Sequence, residues 1–266
     1  MRLTISHTTR YHYDEPVHYA LQQLRLTPKS RAGQKVVQWD IAVDGGTKQL
    51  EYDDQHNNHV TLIGFEDGQT EVTVRCDGVV ETTDTSGVIG THGGFAPLWL
   101  FLRPTPLTRA GNNVRKLVKA AGGDFEGDIE RLHALSSAIA ETVTYEIGKS
   151  HSATTAEEAL DAGHGVCQDH AHVFVAAARA MGYPARYVSG YLMMNDRIDQ
   201  DASHAWAEAH VDGIGWVGFD VSNGISPDER YVRVATGLDY VEAAPVSGMR
   251  LGDGDESMVV SLQVQQ

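Results

Sequence analysis

The most constraining feature of this chain is the order in which a cysteine, a histidine and an aspartate occur. Cys167 follows Gly165-Val166, His204 begins the segment His204-Ala205-Trp206, and Asp220 ends the segment Gly215-Trp216-Val217-Gly218-Phe219-Asp220. Acyl transfer through a thioester needs a thiol nucleophile, an imidazole base and a carboxylate that orients the base. The three segments therefore predict a cysteine-nucleophile enzyme.

The residues after Cys167 predict that it begins a helix. An apolar stripe at helical spacing follows the cysteine and ends before Gly182 and Pro184. The first turn of a helix carries unpaired N–H groups and the positive end of the macrodipole, which favour a thiolate. The Cys167 N–H is therefore a natural first donor to an oxyanion. Asp169 in the same turn favours the helix, but its charge would oppose ionisation of the thiol if it pointed toward the sulfur.

The segment from His204 onward predicts a β-hairpin. Even positions from 204 to 210 carry large side chains and the odd positions between them are alanine, which is the alternation of a strand. Asp212-Gly213 marks a turn, and residues 216–220 form the returning strand. A two-residue loop would place His204 and Asp220 on opposite faces, because paired positions would then have an odd sum. We predict an odd-length loop or a bulge, which lets Asp220 orient the imidazole.

Together these segments resemble the core of the transglutaminase-like superfamily. The segment from Pro184 to Tyr191 resembles the strand that follows the nucleophile helix in that family, so the match covers roughly residues 125–232. More narrowly, the chain resembles bacterial proteins with an N-terminal β-rich domain before this core, which are described as candidate cysteine proteases. The resemblance implies that Cys167 is the nucleophile, His204 the base and Asp220 the orienting acid. One departure is the segment 221–224, Val-Ser-Asn-Gly, where the family usually has proline and threonine after the aspartate.

Three further side chains are candidates for contact with the oxyanion or the substrate. Gln168 and Tyr145 could supply the second oxyanion donor, and Trp206 would lie on the same strand face as His204, where it could shield the imidazole from water. Each also has an ordinary structural interpretation. Gln168 would then follow the helix surface, Tyr145 would be a packed aromatic with its hydroxyl at the surface, and Trp206 would be a core residue.

Histidines near the cysteine raise the alternative of a zinc site. The chain has 13 histidines, and thiolate and imidazole are both zinc ligands. Cys167 and His170 have a spacing that fits shared coordination on a helix, whereas His170 and His172 point in different directions. We therefore predict no metal in the site and retain zinc as the alternative. The potential ligands in this segment are His164, Cys167, Asp169, His170 and His172.

The remaining cysteine, the charge and the hydropathy limit the compartment and the partners. Cys76 alternates with Val72 and Val74, as a core residue of a strand does, so no disulfide remains to indicate an oxidising compartment. The formal charge of −15 argues against nucleic acid or an anionic membrane as a partner. Residues 1–7 lack the apolar segment of a signal peptide, and no stretch is long enough to span a bilayer. We expect a cytoplasmic protein.

The distribution of patterns predicts two domains and an α+β fold. Residues 1–105 alternate like strands separated by turns, so we expect a β-sandwich or barrel-like domain. Residues 106–266 have helical stripes before strands, which fits a papain-like or transglutaminase-like core with the nucleophile at a helix N-terminus on an antiparallel sheet. The prolines at 97, 104 and 106 indicate a linker. The C-terminal segment 258–264 predicts a strand that packs on the first domain.

We predict that the enzyme acts on a peptide or amide substrate. The Cys167 thiolate would attack the carbonyl carbon, and His204 would protonate the departing amine. Release of the thioester to water makes a peptidase or amidase, which we favour partly from the resemblance, and release to an amine makes a transglutaminase. A non-catalytic binding module on the same fold is a further alternative. The chemistry requires no metal ion or organic cofactor.

Overall fold

A computed structural model describes residues 1–200, 202–252 and 254–266. The first part of the chain forms long strands, as the alternating pattern predicts. Glycine or aspartate turns separate them, and Gly45 and Gly68 adopt positive φ angles of 79° and 80° that favour glycine at these tight turns. The strands are β1 (Arg2–Val17), β2 (Tyr19–Thr27), β3 (Gln34–Asp44), β4 (Gly46–Asp53), β5 (His59–Phe65) and β6 (Gln69–Thr82).

The second part of the chain mixes helices and strands, which confirms the α+β prediction. A 3-10 helix (Leu98–Leu102) precedes the first α-helix. The elements are β7 (Val88–Gly90), α1 (Asn112–Ala120), α2 (Asp128–Thr142), β8 (Thr144–Tyr145), α3 (Ala156–Ala162), β9 (His164–Gly165), α4 (Cys167–Ala180), β10 (Ala185–Leu192), β11 (Asp199–Gln200), β12 (His204–Val211), β13 (Gly215–Phe219), β14 (Tyr231–Gly237), α5 (Tyr240–Ala243), β15 (Val246–Leu251) and β16 (Glu256–Gln265).

The strands at the two ends of the chain form a β-sandwich. One sheet has the order β11-β16-β1-β6-β3, and the other has the order β15-β2-β5-β4. Apolar side chains from both sheets form its core, among them Leu24, Ile63, Val74 and Cys76, each at most 1% exposed. The C-terminal strands β15 and β16 pair antiparallel with β2 and β1. The sandwich is therefore completed by chain that comes after the helices.

A separate antiparallel sheet carries the helices. Its order is β14-β10-β12-β13-β7, and α4 packs across β12 and β10. The alanines at 205, 207 and 209 are buried on the face that α4 covers, where small side chains allow the helix to approach closely. Phe174 of α4 stacks on Phe219 of β13 with ring centroids 4.9 Å apart. This contact fixes the middle of the helix against the hairpin β12-β13.

Apolar packing joins the sandwich to the helical layer, which consists of the helices and the sheet β14-β10-β12-β13-β7. Leu3 and Ile5 of β1 and Val264 of β16 are buried against Tyr191 of β10 and Val232 of β14. Such continuous burial opposes independent movement of the two layers.

The described residues include no helix long and apolar enough to cross a membrane.

The proline-rich segment 97–106 is more ordered than a linker. Its 3-10 helix buries Phe101, 2% exposed, against Trp216 of β13 with ring centroids 5.1 Å apart. Arg179 of α4 donates a hydrogen bond from Nε to the Phe101 carbonyl over 2.9 Å. The linker prediction is therefore wrong here. Prolines still end the regular structure, but aromatic packing fixes the segment to the helical layer.

Candidate active site

Cys167 is the first residue of α4, as the apolar stripe predicts. Two glycines make the approach to it: Gly163 ends α3 with a φ of 72°, and a Cβ on Gly165 would lie only 2.7 Å from the Asp169 Cβ. Asp169 turns back and accepts a hydrogen bond from the Val166 N–H over 2.8 Å. The carboxylate thus caps the helix, and the Cys167 N–H has no intrahelical acceptor.

The hairpin places His204 and Asp220 on one face. Val211 pairs with Gly215 and Ala207 pairs with Phe219, so the loop holds an odd number of residues and paired positions have an even sum. The prediction of an odd-length loop is confirmed. His204 Nε2 and an Asp220 carboxylate oxygen lie 2.6 Å apart in a buried hydrogen bond. This bond leaves Nδ1 as the ring nitrogen available to a thiol.

The charge on His204 is set by its neighbours. Burial lowers the pKa of His204, but hydrogen bonds to Asp220 and Cys167 and the charges of both groups together raise it to about 10. At neutral pH the ring is therefore an imidazolium that bridges the carboxylate and the thiol. An imidazolium next to the sulfur can donate a proton to a leaving amine during acyl transfer.

Two residues that the sequence analysis missed hold the Asp220 carboxylate. Tyr231 donates its hydroxyl to Oδ2 over 2.7 Å, and the Asn223 amide Nδ2 donates to the same oxygen over 2.7 Å. Burial raises the pKa of Asp220, but the hydrogen bonds from His204, Asn223 and Tyr231 lower it overall. Asn223 follows the aspartate by three residues in a turn, where asparagine is common. Nothing local in the sequence indicates Tyr231.

Trp206 lies beside the imidazole rather than in contact with the thiol. Its ring is 3% exposed and stacks near that of His204, with centroids 6.1 Å apart and an angle of 29° between the planes. Tyr231 packs against the edge of the same indole at 5.4 Å. The tryptophan therefore excludes water from one side of His204.

Gln168 and Tyr145 lie on either side of the start of α4. The Gln168 side-chain amide donates to the Ser152 carbonyl over 3.2 Å, which holds it against the preceding loop. Tyr145 pairs with Gly165 in the short β8-β9 ladder and is 49% exposed. Its pKa is raised by burial and then by the negative charges of Cys167 and Asp220, and its ring centroid lies 6.1 Å from that of His170.

The histidines of α4 are engaged in other contacts. His170 places one ring nitrogen 2.8 Å from the Ser222 hydroxyl and the other 2.8 Å from the Val143 carbonyl. His172 is fully buried and accepts a hydrogen bond from the Tyr240 N–H over 3.1 Å. Burial lowers the pKa of His172 to about 4, in keeping with a neutral acceptor. Among the described residues, no group of three or more His, Cys, Asp or Glu side chains is arranged to hold a metal ion.

A cavity of about 580 Å³ opens over Cys167 and His204. It lies between the two layers, because strands of the sandwich line it together with the first residues of α4. Aromatic and aliphatic side chains form much of its wall, and Arg250 and Glu256 supply one charge of each sign. The wall includes Tyr11, Tyr13, Tyr187, Tyr240, Val246, Met249, Met258 and Val260.

Comparison with known proteins gives two family matches. Residues 115–221 match the model described as the transglutaminase-like superfamily, and residues 3–81 match the bacterial transglutaminase-like N-terminal region. The chain is 29% identical to the uncharacterized protein ML0607 of Mycobacterium leprae over 99% of the chain and 98% of that protein. It is 28% identical to the uncharacterized protein Rv2569c of Mycobacterium tuberculosis over 99% of the chain and 92% of that protein.

A solved structure has the same fold. The crystal structure of a candidate cysteine protease from Cytophaga hutchinsonii superposes with a TM-score of 0.78 at 22% identity, covering 100% of this chain and 91% of the other. At this identity the likeness concerns the arrangement of the sandwich and the helical layer. Both layers, and not the helical layer alone, therefore recur together in that structure.

Proposed function

Because the chain belongs to the transglutaminase-like superfamily, we propose that it is a cysteine-dependent enzyme that hydrolyses amide bonds. Cys167 is the nucleophile, His204 the acid and base, and Asp220 the orienting carboxylate. The observation that carries the proposal is the hydrogen bond of 2.6 Å between His204 Nε2 and Asp220. It fixes the imidazole so that Nδ1 is the nitrogen available to the thiol. Orienting the base in this way is the role of the third residue in a nucleophile-base-acid triad.

The proposed reaction has two halves. The Cys167 sulfur attacks the carbonyl carbon, and the negative charge that develops on the oxygen is met by the Cys167 N–H at the start of α4. His204 gives its Nδ1 proton to the departing amine, which leaves a thioester on the sulfur. In the second half His204 takes a proton from water and the hydroxide attacks the thioester carbonyl. The C–S bond then breaks, the acid leaves, and the sulfur remains as a thiolate beside the protonated ring.

The large cavity is the proposed place for the acyl side of the substrate. It reaches from Cys167 and His204 to the aromatic and aliphatic side chains of the sandwich, so it suits a peptide or amide with an apolar or aromatic group near the reacting carbonyl. Arg250 packs over the Tyr13 ring at 5.1 Å, which adds a cation at the far wall. The sandwich would therefore take part in substrate selection.

Water is the proposed acceptor of the acyl group. Cys167 is only partly buried, and the cavity above it is open to solvent, so a thioester there would be accessible to water. The similar protein from Cytophaga hutchinsonii is described as a candidate protease, which supports the same choice. An amine acceptor would use the same cysteine and the same thioester.

Acylation of a defined cysteine tests the proposal. We expect a panel of peptide amides to include substrates that add an acyl mass to Cys167, which intact-protein and peptide mass spectrometry would locate. When a primary amine is added as a competing acceptor, the released acid should exceed the amine adduct. Predominant amine adduct would replace hydrolysis by transamidation, and no acylation by any member of the panel would contradict the proposal.

The reactivity of the two thiols provides a matched control within the chain. Cys76 is fully buried, and burial raises its thiol pKa to about 12. Iodoacetamide should therefore alkylate Cys167 at least about 100-fold faster than Cys76 in the folded protein, because alkylation requires an accessible thiolate. Equal and slow labelling of both cysteines would instead favour a binding module without catalysis.

Tyr145 is the proposed second oxyanion donor. Its phenol lies near Cys167 on β8, next to the start of α4. We expect Tyr145→Phe to lower kcat about 10-fold to 100-fold with little change in KM, because an oxyanion donor acts mainly in the transition state. Steady-state kinetics with one of the identified amides measures both constants. Unchanged kcat would assign the role to another donor, for which Gln168→Ala provides the comparison.

A further inference from the structure

A buried cluster of charges lies on one face of the sheet β14-β10-β12-β13-β7, opposite the face that α4 covers. Glu208 of β12 is fully buried and contacts two arginines, Arg186 of β10 and Arg233 of β14. Arg186 donates from Nε over 2.5 Å, and Arg233 donates from Nε and Nη2 over 2.6 and 3.0 Å. These bonds use only part of the donor capacity of the two guanidinium groups, since each carries five N–H donors.

A third arginine, Arg31, lies near this cluster. Arg31 has no hydrogen bond or ion pair from its side chain to the described residues, and its Nε is completely buried. Burial, and then repulsion from Arg233, lowers the pKa of Arg31 far below its usual value, and Glu208 compensates only in part. Three guanidinium groups and one carboxylate therefore lie in this region, and their formal charges sum to +2 in a protein whose formal charge is −15.

The position of Arg31 is fixed by the backbone around it. Arg31 and Gln34 close a small turn by pairing their backbone groups at 2.8 and 3.1 Å. The Gln34 side chain then accepts from the Arg233 N–H over 2.8 Å and donates to the Arg233 carbonyl over 2.9 Å. The unpartnered arginine is thus held next to β14 by bonds that do not involve its own side chain. A buried charge without compensation is costly.

A second cavity lies beside the cluster. It has a volume of about 340 Å³, and Arg31, Arg186 and Arg233 all line it. Lys29 adds a fourth cation, although it is paired with Asp53 at 2.7 Å. The described residues that form the wall include no aspartate or glutamate.

The wall of this cavity also includes a buried tryptophan. Trp216 is stacked beneath the Arg186 guanidinium at 3.8 Å from its ring centroid, which holds that group in one orientation. His56 lines the same cavity, and its buried Nδ1 has no hydrogen-bond partner among the described residues. Two residues that each have a buried polar atom without a partner among the described residues, Arg31 and His56, therefore line one cavity.

We propose that this second cavity binds a small molecule carrying a dianionic phosphate group, held by Arg31, Arg186 and Arg233. Guanidinium groups match phosphate oxygens in geometry and charge, and a dianion would neutralise the net charge of the cluster. The cavity volume of about 340 Å³ leaves room for a small organic group beside the phosphate. The site is separate from Cys167, which lines the larger cavity instead, so the proposal does not rest on the proposed function.

Calorimetric titration of the full-length protein with inorganic phosphate tests this site, with sodium chloride adjusted to constant ionic strength. We expect saturable binding of one phosphate per chain to the wild type. Arg31→Gln should weaken that binding at least about tenfold, since a charge-assisted bond to phosphate contributes this much or more. Arg31→Lys should restore part of the affinity. Arg115→Gln, which removes an exposed arginine of α1, should bind phosphate like the wild type.

Thermal unfolding separates a ligand site from a purely structural role. Arg31 makes no side-chain hydrogen bond to the described residues, so Arg31→Gln should not lower the melting temperature in phosphate-free buffer. Phosphate should raise the melting temperature of the wild type and of Arg115→Gln more than that of Arg31→Gln. Absence of saturable binding to the wild type would overturn the proposal. Equal phosphate effects on all three proteins would overturn it too, because they would indicate a general salt effect.

Discussion

Cys167→Ala is expected to reduce kcat/KM for any amide substrate by at least about 10⁴-fold, because the proposed mechanism makes its only covalent intermediate on this sulfur. The residual rate would come from binding and from the oxyanion donors alone. The substitution removes one partly exposed atom from the first residue of α4, so the fold should persist. Circular dichroism and the melting temperature, measured beside the kinetics, establish that the loss is chemical.

Cys76→Ala is the matched control for that loss. Cys76 is fully buried in the core of the sandwich, so the same substitution there should destabilise the protein by about 1–2 kcal/mol through the cavity it leaves. Activity should be retained below the melting temperature. The two variants thus have opposite effects on activity and stability. Substantial activity in Cys167→Ala would contradict the proposed function, whatever the result for Cys76→Ala.

Asp220→Asn is expected to lower kcat/KM at neutral pH by roughly 10³-fold to 10⁴-fold, the size of effect seen when an orienting carboxylate is replaced by its amide. The carboxylate accepts from His204 Nε2 over 2.6 Å. An amide at this position no longer supplies a negative charge and can also present its NH₂ group to the ring, which favours the wrong tautomer. The imidazolium beside the sulfur would then be much less favoured.

The pH dependence of Cys167 alkylation reports how Asp220→Asn changes the charge of His204. The His204 pKa is raised to about 10, so the protonated ring beside the thiol persists at neutral pH and is lost as pH rises through about 10. The stability that the raised pKa contributes is fully present below the unfolded value near 6.5 and declines between there and about 10. In Asp220→Asn the loss of the imidazolium should begin at lower pH, and the decline in stability over this range should shrink.

Asp212→Asn provides the corresponding control. Asp212 lies in the turn of the same hairpin and its side chain is fully exposed, so the same chemical change there should leave both the rate and the pH profile unaltered. An Asp220→Asn variant with a wild-type pH profile would show that the carboxylate does not set the charge of His204. Tyr231→Phe should have a smaller effect in the same direction, because it removes one of several bonds to Asp220.

Local patterns were sufficient for the elements that carry the site. The apolar stripe placed Cys167 at the start of a helix, and the alternation from His204 placed a strand there. An odd-length hairpin loop could be predicted because Asp220 must reach the His204 ring. The structure has such a loop. The proline-rich segment 97–106 is where local reasoning failed. Its 3-10 helix is held by Phe101 against Trp216, a contact between residues far apart in sequence.

The sequence alone therefore determined the identity, order and local geometry of Cys167, His204 and Asp220, because helix and strand periods are written in neighbouring residues. Tertiary structure alone decided what surrounds them. The large cavity needs strands from both ends of the chain, and Arg31 lies near Glu208 only because the turn that precedes β3 adjoins the sheet that contains β12. Such meetings depend on sheet order and register, which are settled by packing across the whole molecule and leave no periodic signal in any one segment.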